Sequence, residues 1–202
     1  MKPSLAPVLD RTRAVGVVFL FGTMLALSYR RPEFANHAWF FSTLTSLGTV
    51  LGSAKISPRF AVRPSWTRSL FLVCLFLGAA QAVLRFPVPE AMAAWAAAAT
   101  GLLICYSWGK IGCWRMGCCS APEPVLALSL PLFEASVSVA TAATLIFLLA
   151  SSRPTEMALA TFFAGHGALR LFSAKKRGMR GLPLFQSWSL FGCGAALLIR
   201  AR

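Results

Sequence analysis

Residues 125–150 read VLALSLPLFEASVSVATAATLIFLLA, a stretch of aliphatic, aromatic and small side chains in which Glu134 is the single charge. About 20 apolar residues suffice to cross the hydrocarbon core of a bilayer as a helix, so this run is long enough to span. Similar runs lie on both sides of it, at about Ala14–Tyr29, Ala35–Ala54, Ser69–Leu84, Val88–Trp108, Glu156–Phe172 and Leu184–Ile199. The expected fold is therefore all-α, an integral membrane bundle of about seven transmembrane helices forming a single domain over residues 1–202. Six spans is the alternative, because His37, Ser42, Thr43, Thr45 and Ser46 dilute the second run.

Composition gives the same solvent. Of 202 residues, 57% are hydrophobic and 13% charged, and the mean hydropathy is +0.67, outside the range of ordinary soluble domains. The first run follows Lys2, Arg11 and Arg13 but lacks a small-x-small cleavage site before Arg30 and Arg31, so a retained helix is expected rather than a signal peptide. No internal repeat or low-complexity tract interrupts the pattern, and the short connections leave no room for a soluble domain.

The net charge of +14 sits at the ends of the apolar runs. That is the pattern of side chains reaching into a headgroup layer, not of a nucleic-acid-binding face, and no nucleic-acid partner is expected. With seven spans, the amino terminus and the loops near Arg59, Lys110 and Lys175 share one side and carry 13 cations, against six on the other. The positive-inside rule then puts the amino terminus in the cytoplasm. Trp66, Trp108, Trp114 and Trp188 fall near run ends, where aromatic belts form.

Three features carry chemistry. The first is Gly109-Lys110-Ile111-Gly112-Cys113-Trp114-Arg115-Met116-Gly117-Cys118-Cys119, a cationic, thiol-rich segment at a membrane boundary, whose three thiols converge if it turns there. The second is Arg170 near the end of the sixth run, one turn after His166. An intramembrane cation needs water, a counter-ion or an anionic ligand. The third is Glu134 early in the fifth run. Arg170 and Glu134 can simply pair and lock two helices; alternatively Arg170 grips a phosphate while Glu134 orients a neighbour. His166 can serve as a general base, or pack against the next helix.

Cys113, Cys118 and Cys119 also leave several readings open. A thiolate beside Lys110 and Arg115 can act as nucleophile or base. The same cysteines with His166 can hold zinc, although the spacing is not that of a zinc knuckle, and no metal or cofactor is expected. A disulfide requires an oxidising compartment. Small residues that permit close packing are the bland alternative.

The same residues carry a resemblance. Gly109-Lys110-Ile111-Gly112-Cys113 resembles the Gly-Arg-x-Gly-Asn signature of prolipoprotein diacylglyceryl transferases. Pro131-Leu132-Phe133-Glu134-Ala135 is similar to that family's Pro-x-x-Leu-Tyr-Glu-Ala segment with two residues removed, and His166-Gly167-Ala168-Leu169-Arg170 to its Tyr-Gly-x-x-Arg motif. Gln186 matches a glutamine near the start of the family's last helix, and Arg13-Ala14-Val15-Gly16 echoes its Arg-x-Tyr-Gly. The order agrees, and the resemblance covers most of the chain, least so from Ala35 to Arg85.

The resemblance implies a multi-pass enzyme of the bacterial inner membrane. It would take phosphatidylglycerol, an anionic phospholipid, as donor and pass its diacylglyceryl group to a thiol acceptor in a peptide or small molecule. Arg170 would clamp the phosphate, Lys110 would stand where the family has its other arginine, and Arg13, Gly109, Gly112, Arg115 and Gln186 would line the donor site. The chain also departs from the pattern. Cys113 replaces the asparagine, Cys118 a later glutamate, Val15 and His166 two tyrosines, and the third run lacks the His-Gly-Gly segment. The family's topology puts the amino terminus outside, opposite to the cation tally. A non-catalytic phospholipid-binding or thiol-sensing protein on the same scaffold is the alternative.

Overall fold

The computed structural model describes residues 18, 21–22, 38–53, 66–85, 88–115, 117, 124–151, 153–178, 188–189 and 192. Within them the chain forms five helices: α1 (Ala38–Ser53), α2 (Trp66–Leu84), α3 (Val88–Arg115), α4 (Leu130–Ala150) and α5 (Thr155–Lys176). The described residues contain no strand, only an isolated antiparallel bridge between Val125 and Leu128. The described residues are all-helical, as the hydropathy pattern predicts. Two helical stretches, Met92–Arg115 and Leu130–Ala150, are long and apolar enough to cross a membrane. That is fewer than the seven spans expected; the first and last apolar runs lie almost wholly outside the described residues.

The diluted second run is a helix whose two buried threonines are satisfied within it. Thr45 Oγ1 donates to the Phe41 carbonyl at 2.8 Å and Thr49 Oγ1 to that of Thr45 at 2.8 Å, which lets α1 bury both against its neighbours. α1 packs mainly on α2. At their contact, a Cβ on Gly48 would come within 3.0 Å of the Val73 backbone nitrogen, so only glycine permits this approach.

α3 is the central element and contacts all four other helices. Its run of buried alanines, Ala93–Ala99 around Trp95, keeps the helices close, with Leu102, Leu103, Leu145, Leu149 and Phe162 completing the core. Thr100 and Ser107 donate to the carbonyls of Ala96 and Leu103, so the polar groups of α3 need no outside partner there. α4 instead turns Val139, Ile146 and Phe147 outward, the arrangement of a helix at a bundle's apolar surface.

Helix ends follow local chemistry. Arg85, Gly117 and Gly178, at φ of 50°, 64° and 64°, leave α2, α3 and α5 through the left-handed region. The fourth apolar run ends at Trp108 in the sequence, whereas α3 continues through Gly109 and Gly112 to Arg115. A helix-interior glycine costs about 1 kcal/mol relative to alanine, and burial of Gly112 and Lys110 against α4 and α5 offsets that cost. The fifth run becomes helical at Leu130, five residues later than its apolar start. Pro131 in the first turn favours a helix start there, and Val125 and Leu128 exchange backbone hydrogen bonds of 2.8 and 2.9 Å ahead of it.

Candidate functional site

α3 runs antiparallel to α4 and α4 to α5, so the last turns of α3 and α5 meet the first turn of α4. Helical spacing then aligns three stripes. Tyr106, Lys110 and Cys113 lie at i, i+4 and i+7 on α3, Glu134 and Ser138 at i and i+4 on α4, and His166, Arg170, Ser173 and Arg177 along α5 and its cap.

Glu134 is at the centre and fully buried. Lys110 Nζ lies 2.6 Å from its Oε2 and Arg177 Nη2 donates to the same oxygen at 2.7 Å. One carboxylate thus ties three helices together at one end. Lys110 Nζ also stands 5.1 Å from the centre of the Tyr106 ring, a cation–π contact that holds the ammonium as Glu134 does. The Ser173 hydroxyl faces the same carboxylate.

One turn deeper, the Tyr106 and His166 rings meet edge to face at 5.3 Å, and Phe162 stacks parallel to His166 at 5.7 Å. The imidazole is thereby held between two aromatic rings and is 2% exposed. Arg170 lies within electrostatic reach of the Tyr106 hydroxyl and of His166, and is only partly buried. Neither of the two ion pairs on Glu134 involves Arg170.

Of the residues nominated by sequence, Lys110, Glu134, His166 and Arg170 come together, although they span 60 positions of the chain. The Arg170–Glu134 lock is replaced by Lys110 and Arg177 on Glu134. Cys113 is half-buried and shares the stripe of Lys110. Gly112 is buried, while Gly109 has open space where a Cβ would stand, so the latter is not required for close packing. Arg115 is exposed at the helix end. Arg13, Cys118, Cys119 and Gln186 lie outside the described residues. Among the described residues no group of three His, Cys, Asp or Glu side chains is placed to hold a metal ion.

Sequence reasoning missed Tyr106, Ser173 and Arg177. Arg177 reads as part of a basic cluster with Lys175 and Lys176, yet it sits seven residues after Arg170 and so returns to the same helix face. Tyr106, one turn before Lys110, carried the same signal. Comparison of the chain with protein-family models, curated proteins and solved structures gives no match.

Proposed function

We propose that this chain is a membrane-embedded, lipid-handling transferase of the diacylglyceryl transferase type, with an anionic phospholipid, phosphatidylglycerol, as donor and a thiol or other nucleophile as acceptor. The observation that carries the reading is an excess of positive charge in a water-poor place. Lys110 and Arg177 share one carboxylate, Glu134, and Arg170 adds a third cation beside Tyr106 and His166, within and beside two helices suited to a bilayer. Buried or half-buried cations in excess of their counter-ions favour an anionic ligand, and a phosphate diester suits a guanidinium fork. Arg170, held by no bond to Glu134, is the group best able to take it.

The chemistry this supports is displacement at the glycerol carbon that carries the phosphate ester. The incoming sulfur forms a C–S bond, the C–O bond breaks, and glycerol phosphate leaves with the electron pair. Cations at that oxygen would stabilise the developing charge, and His166 would take the thiol proton. Convergence of Lys110, Glu134 and the His166–Arg170 pair, which come from three separate motifs of the resemblance, supports the same reading.

A second reading rests on the Lys110–Glu134–Arg177 lock. Two of the three cations are already satisfied, which suits a phospholipid-binding protein that does no chemistry. The test is mass spectrometry of purified protein incubated with phosphatidylglycerol, with and without a thiol-bearing peptide. Glycerol phosphate together with a diacylglyceryl adduct on the peptide supports the transferase. Intact lipid that co-purifies with the wild type but not with Arg170→Ala, without either product, supports the binding protein.

A further inference from the structure

The end of the bundle that carries the ion-paired cluster also carries a strained, apolar turn. Val125 and Leu128 bond to each other through both backbone pairs, which leaves Leu126 and Ala127 as the two central residues. Their φ values are 49° and 62°, both in the left-handed region. Tight turns of this type select Asn and Gly because a side chain is disfavoured there. Here the first central position is a leucine, and it is 83% exposed. Leu128 is 38% exposed, and Trp114, at the end of α3 beside the same connection, is 47% exposed. Arg115 and Lys175 are exposed at this end as well.

A connection that only joined α3 to α4 in water would gain nothing by displaying leucine at a strained tip. Apolar tips, an indole and cations together are what the boundary between headgroups and acyl chains favours. Rise along the helices sets the remaining dimension. Lys110 lies five residues before the end of α3 and Glu134 four after the start of α4, so both stand about 6–8 Å inward of the turn.

We infer that the turn at Val125–Leu128 is an interfacial anchor: Leu126 and Leu128 seat in the headgroup–acyl boundary of an anionic bilayer, with Arg115 and Lys175 against its phosphates. The anchor fixes the height at which the cationic cluster meets lipid, roughly one helical turn below the phosphates. It rests on the membrane reading of α3 and α4 and adds to it the element that sets their depth.

The experiment is fluorine NMR on the full chain in vesicles of phosphatidylcholine and phosphatidylglycerol. Leu126, Leu128 and Val139 are replaced, one at a time, by trifluoromethylphenylalanine. Each is exposed to a headgroup-level spin label, a deep acyl-chain spin label and a water-soluble paramagnetic agent. Val139 is an exposed residue of α4 about 13 Å inward of Leu130 and reports on the span itself. The expected result is loss of the 126 and 128 signals to the headgroup-level label, little loss to the aqueous agent, and loss of the 139 signal to the deep label. If 139 responds to the deep label while 126 and 128 are lost only to the aqueous agent, the anchor is overturned and the span stands. Protection of 126 and 128 from all three agents means that protein covers the tip, which also overturns the anchor. No response of 139 to the deep label removes the membrane reading itself. Position 128 lies outside the strained pair and repeats the measurement with the turn intact. An unchanged response in vesicles lacking phosphatidylglycerol overturns the part assigned to anionic lipid.

Discussion

Glu134 holds two cations through a single oxygen, and its substitution is expected to be the most damaging in the described core. Glu134→Gln leaves Lys110 and Arg177 buried without their counter-ion, and breaking a buried pair costs about 3–5 kcal/mol. The expected outcome is a large drop in the thermal midpoint of the detergent-solubilised protein. Arg170→Ala separates structure from chemistry, because neither ion pair on Glu134 involves Arg170. Its thermal midpoint is expected to stay near wild type while product release falls about 100-fold, the usual effect of removing one donor from a developing oxyanion. A thermal midpoint that falls as far as that of Glu134→Gln would show Arg170 to be a structural residue instead. At this scale the sequence was half legible. Lys110, Glu134, His166 and Arg170 stood out because charge and imidazole are conspicuous in apolar runs. Which cations pair with Glu134 depends on how α5 is rotated and where it ends, and local sequence does not encode either.

The glycines of α1 and α3 divide by what surrounds them, and helix scale is where that is testable. Gly48→Ala pushes a methyl group against Val73 Cγ2 at 2.9 Å and its backbone nitrogen at 3.0 Å. Backbone cannot yield as a side-chain tip can, so a loss of about 1–3 kcal/mol is expected in denaturant or thermal unfolding. Gly109→Ala meets open space inside a long helix, and a gain of about 0.5–1 kcal/mol is expected in the same assay. Equal effects of the two would mean that α1 and α2 do not approach as described. Apolar runs read from sequence matched all five helices in place and order, with most boundaries within a few residues. The two large misses have local causes. α3 overran its apolar stretch because packing against α4 and α5 outweighs glycine's weak helix preference. α4 started late because the tight turn at 125–128 and Pro131 decide its first residue, whereas hydropathy sees only leucines.

For the molecule as a whole, antiparallel neighbours put Arg115 and Lys175 at one end and Arg85 and Arg153 at the other. Cysteines introduced at Arg115 and Lys175 in a background without native cysteines should react with a membrane-impermeant reagent from one side of sealed vesicles. Those at Arg85 and Arg153 should react only from the other. The same labelling decides between the cytoplasmic amino terminus favoured by the cation tally and the external one implied by the resemblance. Mixed labelling at Arg115 and Lys175 would mean that α3 and α5 do not end together. The helical class is legible in the sequence, since it follows from hydropathy and connection length. The shared end of Lys110 and Arg177 is not, since it exists only once three helices are side by side. That shared end has a consequence for how such a chain can change over time. Lys110, Glu134 and Arg177 form one unit of inheritance, and the order of loss within it is constrained. Either cation can go first, because the other still neutralises the carboxylate. A lineage that lost Glu134 first would strand both cations at once and pass through a strongly destabilised intermediate.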